Sequence, residues 1–167
     1  MPEDIEIPEV KDSFEKRIAI SIAIIAVLLS YIGMKGDNAK TDAIIKTNEA
    51  SNKWGQFQAN SMKGHMAEME ADLLKALPNP EANAKKIGEK EADVKEYDTK
   101  KAEIKKVADE LVAQAQVQSD MNDRCDFAAL FLQISVVICS VAILSRMQVF
   151  WFAGLILAAI GVWKFFF

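Results

Sequence analysis

His65 is the only histidine in the chain, and Glu68 and Asp72 follow it at i+3 and i+7, on a similar face of a helix. An imidazole beside two carboxylates is the raw material of a general base or a weak cation site. A working site needs partners converging from other elements, and spacing along one helix is the ordinary pattern of a solvated face. Cys125 and Cys139 have neither the spacing of metal ligands nor that of a secreted disulfide framework. No glycine loop able to cradle phosphate, no nucleophile elbow and no Cys/His ligand set occurs. The residues therefore predict no catalytic group, no cofactor and no metal.

The elements that carry these residues explain the poverty of chemistry. The chain is 51% apolar and 26% charged, and the two classes are segregated along it rather than interleaved at a helix or strand period. Three blocks, at 18–34, 127–145 and 147–164, are nearly free of charge and just long enough to cross a hydrocarbon core of about 30 Å. The 17 residues before the first block, rich in Glu and Asp, and the lack of a small-x-small cleavage pattern favour an uncleaved anchor over a signal peptide. Arg146 and Gln148 separate the second and third blocks, predicting a tight turn with the guanidinium among headgroups. Tyr31, Trp163, Lys164 and the closing phenylalanines read as interfacial anchors. The net charge of −4 with no basic block argues against nucleic acid as a partner.

Between the first two spans lies the charged insert, 35–126. Its two prolines, Pro78 and Pro80, flank Asn79, and Pro80 drives Asn79 out of helical geometry, giving the one strong turn of the insert at 78–80. The flanking sequence is rich in Ala, Glu, Lys, Gln and Met, which favour helix. The fold expected is all-α: three transmembrane helices and, between the first and second, a long antiparallel helical hairpin resembling a coiled-coil stalk, behind an acidic tail at 1–17. In the second arm Ile87, Val94, Ala108 and Ala115 occupy one heptad position and Tyr97, Ile104 and Leu111 the other, with Lys101 and Gln118 as interruptions. In the first arm Ile44, Trp54, Phe57, Met62, Met66, Met69, Leu73 and Leu77 are expected to form the facing stripe.

A turn centred on Asn79 sets a register. Trp54 then faces Ile104, and Phe57 faces Lys101 in a cation–π contact. Continued into the spans, the small residues Ala19, Ala23, Ala26, Ser30 and Gly33 meet Cys139, Ser135, Leu132, Ala128 and Cys125, a close-packing stripe of the kind that joins helices in lipid. The cysteines are then packing residues. In the third span Gly154, Ala158 and Gly161 form a second packing stripe. No Asp, Glu, Lys or His lies inside the spans before Lys164, so no proton relay is expected there.

The run Thr47-Asn48-Glu49-Ala50-Ser51-Asn52-Lys53-Trp54, continuing through Phe57-Gln58-Ala59-Asn60-Ser61-Met62-Lys63, resembles a small bacterial membrane-protein family, the domain of unknown function four-three-three-seven. The likeness covers most of the chain: an acidic start, one span, this signature, a charged helical segment and a closing pair of spans. It brings no activity, substrate or catalytic residue. It implies a bacterial inner membrane and marks Trp54, Phe57, Gln58 and Ser61 as a candidate interaction surface, although for Trp54 and Phe57 hairpin core is the favoured explanation. Gly64 and His65 fall outside the distinctive positions.

The function expected is a non-enzymatic membrane scaffold or accessory subunit whose stalk oligomerises or docks a partner. An oligomeric channel or transport component is the alternative. The partners expected are the lipid bilayer and either further copies of the chain or a larger membrane complex. Basic residues mark both sides almost equally, with Lys11, Lys16, Arg17 and Arg146 on one and Lys35, Lys40, Arg124 and Lys164 on the other. Because long inserts count less, the tilt is toward a cytoplasmic N-terminus and a periplasmic stalk.

Overall fold

The computed structural model describes residues 13–166. They form three α-helices: α1 (Ser13–Ala76), α2 (Ala84–Ser145) and α3 (Gln148–Phe166), with a short 3-10 helix at Pro80–Asn83 between α1 and α2. Among the described residues there is no strand. Each α-helix contains a stretch long and apolar enough to cross a membrane. Of the acidic tail expected at 1–17, residues 1–12 lie outside the described residues, and Ser13 onward is already helix.

The helix ends follow from local chemistry. α1 stops before Pro78, and Asn79 sits at φ −136° and ψ 73°, out of the helical region as a residue preceding proline must be. Pro80 then opens the 3-10 turn, where its missing N–H costs nothing. Between α2 and α3, Arg146 takes a φ of 52°, the left-handed conformation that closes a helix. Its guanidinium meets Glu15 at 3.5 Å.

Residues 13–40 and 119–166 form one compact unit. Its core joins Ile18, Ile25 and Ile32 of α1 to Cys125, Ala128, Leu132, Cys139 and Ala142 of α2 and Ala158 of α3. The isoleucines of α1 enter a surface made mostly of small residues, with Leu132 as its large member, so the helices approach closely. Polar links cross this core: the Ser135 hydroxyl donates to the Gly154 carbonyl at 2.7 Å, and the Trp151 indole N–H donates to Ser21 Oγ at 3.2 Å. Phe14 stacks edge-on against Trp151, and Tyr31 against Phe165.

Thr41–Gln118 form the second unit. Here contacts between α1 and α2 run in opposite chain order: Gly64 faces Tyr97, Glu70 pairs with Lys90 at 2.7 Å, and Lys75 pairs with Glu91 at 2.8 Å. The heptad read in the second arm is on the covered side of α2, with Ala108 and Ala115 buried and Ile87, Val94, Tyr97, Ile104 and Leu111 half-buried. Lys101, which interrupts that heptad, pairs with Asp98 at 2.8 Å, and the ammonium over an aromatic ring is that of Lys100 on Tyr97.

Two expectations change. The register moves by three residues: a β-carbon on Gly36 would lie 2.9 Å from Cys125 Cβ, whereas Gly33 has open space on that side. Part of the shift comes from the turn, because α1 ends at Ala76 and α2 begins at Ala84, which centres the break nearer Pro80 than Asn79. The second change is of face. Ala19, Ala23, Ala26 and Ser30 are exposed and Gly33 is half-buried, while Ile18, Ile25 and Ile32 occupy the core. The isoleucines bury far more apolar area, and the small residues they pack against come from α2 and α3 instead.

Candidate functional site

In the charged segment α1 has two heptad rows on opposite sides. The covered row is built mainly of small residues: Ala43, Ala50, Gly64, Ala67 and Ala71, with Phe57 and Leu74 as its large members. Gly64 is buried, and a β-carbon there would touch Tyr97 Cβ at 3.5 Å. The bulk in this seam is supplied by α2, through Ile87, Val94, Tyr97, Ile104 and Leu111. The small residues of α1 admit it, as packing at near-crystal density requires.

The exposed row is the reverse. Met62, Met66, Met69 and Leu73 follow one another at spacings of four, three and four, and are 66%, 56%, 64% and 66% exposed. Leu77 is exposed beyond them. Traced back at the same spacing, the row passes through Ala59, Gly55, Asn52, Asn48 and Ile45, all exposed. It carries no Asp, Glu, Lys or Arg along this length, although α1 is dense with charge on either side of it. A helix in water normally spends its exposed face on charged residues. An uncharged a/d-type row on that face is the pattern of a helix prepared to pack a second time.

The residues singled out from sequence divide between these rows. Trp54 and Phe57 are half-buried and stack on each other edge-to-face at 5.4 Å. Gln58 is exposed, flanking the outward row, and Ser61 is half-buried. Ile44, Met62, Met66, Met69, Leu73 and Leu77, expected in the covered seam, are all exposed. Gly154, Ala158 and Gly161 are the buried residues of α3. The signal that marks the covered row in sequence is the run of Gly and Ala at heptad spacing, which size-based reading overlooks.

Electrostatics organise the flanks. The hydrogen bond and charge of Glu91 hold the Lys75 ammonium above the usual lysine range, and Lys75 in turn holds the Glu91 carboxyl below the usual carboxylate range. Glu70 raises Lys90 in the same way. Along α2 the Glu96–Lys100 pair is mutually shifted, the acid down and the base up. All of these groups are solvent-facing, so they bias the pairing of the helices rather than anchor it. His65 Nδ1 lies 3.5 Å from Glu68 on the open face, and Asp72 turns to Lys75 at 3.8 Å. Among the described residues no three His, Cys, Asp or Glu side chains come together as a metal would need.

The match with known families covers nearly the whole described chain: the family described as Domain of unknown function (DUF4337) matches residues 14–167. The chain belongs to that family. No curated protein and no solved structure matches it. In this DUF4337 member the outward row of α1 is rich in methionine. Methionine is unbranched, polarizable and adaptable, and is over-used at protein-docking surfaces. With Met62, Met66 and Met69 in one row, the surface suits a helix laid along it, the mode in which anchors recur every three or four residues.

Proposed function

We propose that the protein is a non-enzymatic integral membrane scaffold. It crosses the bilayer three times, and the charged segment between the first two spans forms an antiparallel, coiled-coil-like stalk that docks protein. The observation that carries this reading is the exposed, uncharged row Met62, Met66, Met69 and Leu73 on an otherwise charged helix. The apolar surfaces of Ile20, Ile24, Val27 and Tyr31 on α1, and of Phe152 and Ile156 on α3, are exposed in the chain by itself and suit contact with lipid. Lys16 and Arg17 before the first span and Arg146 between the second and third favour a cytoplasmic N-terminus in a bacterial inner membrane, with the stalk on the opposite side.

Mass measurement of the protein extracted in mild detergent tests the docking role. The native chain is expected in an assembly above monomer mass. Met66→Glu with Leu73→Glu is expected to release it while leaving the chain in the membrane fraction with unchanged helicity. An unchanged mass in that variant would remove the row from any docking role. An Asn79→Cys variant labelled by an impermeant thiol reagent in intact cells is expected for a stalk outside the cytoplasm, and protection would reverse the orientation.

A further inference from the structure

We infer that the outward row of α1 is the seam of a parallel, in-register pair made with a second copy of this chain. This rests on the docking role proposed above and names the occupant of the docking face.

Three features of the row select a second copy. The first is its polar content. Asn48 and Asn52 stand in the row with their side chains exposed, and the space above Gly55 is open. A partner with a purely apolar stripe would bury those amides without hydrogen bonds, which is costly. A primary amide carries both donors and an acceptor, so it is its own complement. In a parallel pair at zero offset Asn52 meets Asn52 of the second copy, the arrangement by which a single seam asparagine fixes register in two-stranded coils.

The second is direction. α1 is one helix from Ser13 to Ala76, containing both the first span and the row. The row follows the first span in the chain, so copies inserted in the same sense in one bilayer all enter it from the same membrane face. The antiparallel alternative that best matches the apolar block would set Met62 on Leu73 and Met66 on Met69. It would carry Asn48 and Asn52 past the end of the partner's α1 and leave them without mates.

The third is the charge beside the seam. In a parallel coil a residue flanking the seam meets the residue five further along the other chain, on the facing edge. That rule places His65 by Glu70, Gln58 by Lys63, and Ser51 by Gln56. In this segment no like charges are brought together, and the imidazole gains an acidic neighbour. Gly55 and Ala59 are small enough for the two backbones to approach there, while Met62, Met66, Met69 and Leu73 stack on their own counterparts above.

Single cysteines read the geometry directly. Cys125 and Cys139 are buried and supply an unlinked background. On mild oxidation of the full chain in detergent and in native membranes, Met62→Cys, Met66→Cys and Leu73→Cys are each expected to give a disulfide-linked species of twice the monomer mass. Glu68→Cys, off the row, should link roughly fivefold less, because its β-carbons lie beyond bridging distance. Met66→Glu, followed by mass in detergent, should return the native chain to monomer with helicity unchanged. If Met62→Cys and Leu73→Cys link only when mixed, the pair is antiparallel and the inference fails. If the cysteines link instead to a different protein in native membranes, the second copy is overturned and the docking role stands. If nothing links and Met66→Glu changes no mass, both fall together.

Discussion

Gly154 stands so close to α2 that a β-carbon placed on it would lie 2.5 Å from the Cys139 sulphur and 3.2 Å from the Ser135 carbonyl oxygen. At Gly161 the same carbon would come within 3.0 Å of the Ala128 carbonyl oxygen and of Phe131 Cβ. The two glycines thus let α3 lie directly on the backbone of α2, where the Ser135 hydroxyl reaches the Gly154 carbonyl. Gly161→Ala meets backbone that cannot yield, so it is expected to destabilise the three-helix packing by about 1–3 kcal/mol. Gly154→Ala is expected to cost a similar amount, and Cys139→Ala in the same chain should recover part of it by removing the sulphur. Thermal unfolding of the purified variants in detergent measures both. Additive rather than compensating effects of Gly154→Ala and Cys139→Ala would show that the two sites do not touch.

The exposed ion pairs of the segment Thr41–Gln118 give it a defined pH profile. Glu91 is held below its ordinary range, so its contribution is complete above the unfolded carboxylate value of about 4.3 and is lost as pH falls through the folded value. Lys75 and Lys90 are raised, so theirs is complete below the unfolded lysine value of about 10.4 and is lost as pH rises through the folded values. Helix melting of this segment should therefore be flat from roughly pH 6 to 9 and fall on both sides. Because the pairs face solvent, about 1 M salt should flatten the profile. Lys75→Gln should remove the part due to Glu91, read as a smaller acid-side drop in melting temperature by circular dichroism.

Much of this architecture is legible in the residues because it rests on composition and on breakers. Nearly charge-free blocks around 18–34, 127–145 and 147–164 lie in or beside the three helices able to cross a membrane, and the helical path breaks between Ala76 and Ala84, around Pro78 and Pro80. The covered side of α2 is legible too, since Ile87, Val94, Tyr97, Ile104 and Leu111 repeat at the seven-residue period. The face of α1 is harder to read. Large apolar residues are ordinarily assigned to the covered side, and Met62, Met66, Met69 and Leu73 satisfy every spacing rule for it. The space between two helices is finite, however, and α2 already fills it. What fits opposite Tyr97 is Gly64, not a methionine. The same complementarity, large against small, turns Ile25 inward in the first span and leaves Ala23 and Ala26 outside. Such a choice depends on both helices at once, and in α1 alone its one trace is the run of small residues Ala50, Gly64, Ala67 and Ala71.

Trp54 separates the two kinds of contact available to α1. Its ring meets Phe57 edge-on at 5.4 Å and is half-buried within its own chain, while the outward row passes it by through Asn52 and Gly55. An aromatic pair of this geometry contributes about 0.5–1.5 kcal/mol beyond its buried area. Trp54→Ala is therefore expected to destabilise the segment Thr41–Gln118 by roughly 1–3 kcal/mol, since a half-buried indole loses only part of its transfer free energy. It should leave the mass of the detergent-extracted assembly unchanged. Met66→Glu is expected to do the reverse, altering mass with little loss of helix stability, because its side chain is more than half exposed in the single chain. Measuring melting temperature and native mass on both variants places the docking contact. If Trp54→Ala dissolves the assembly while the helices melt as before, the contact lies on the Trp54–Phe57 side of α1, and the methionine row is ordinary surface.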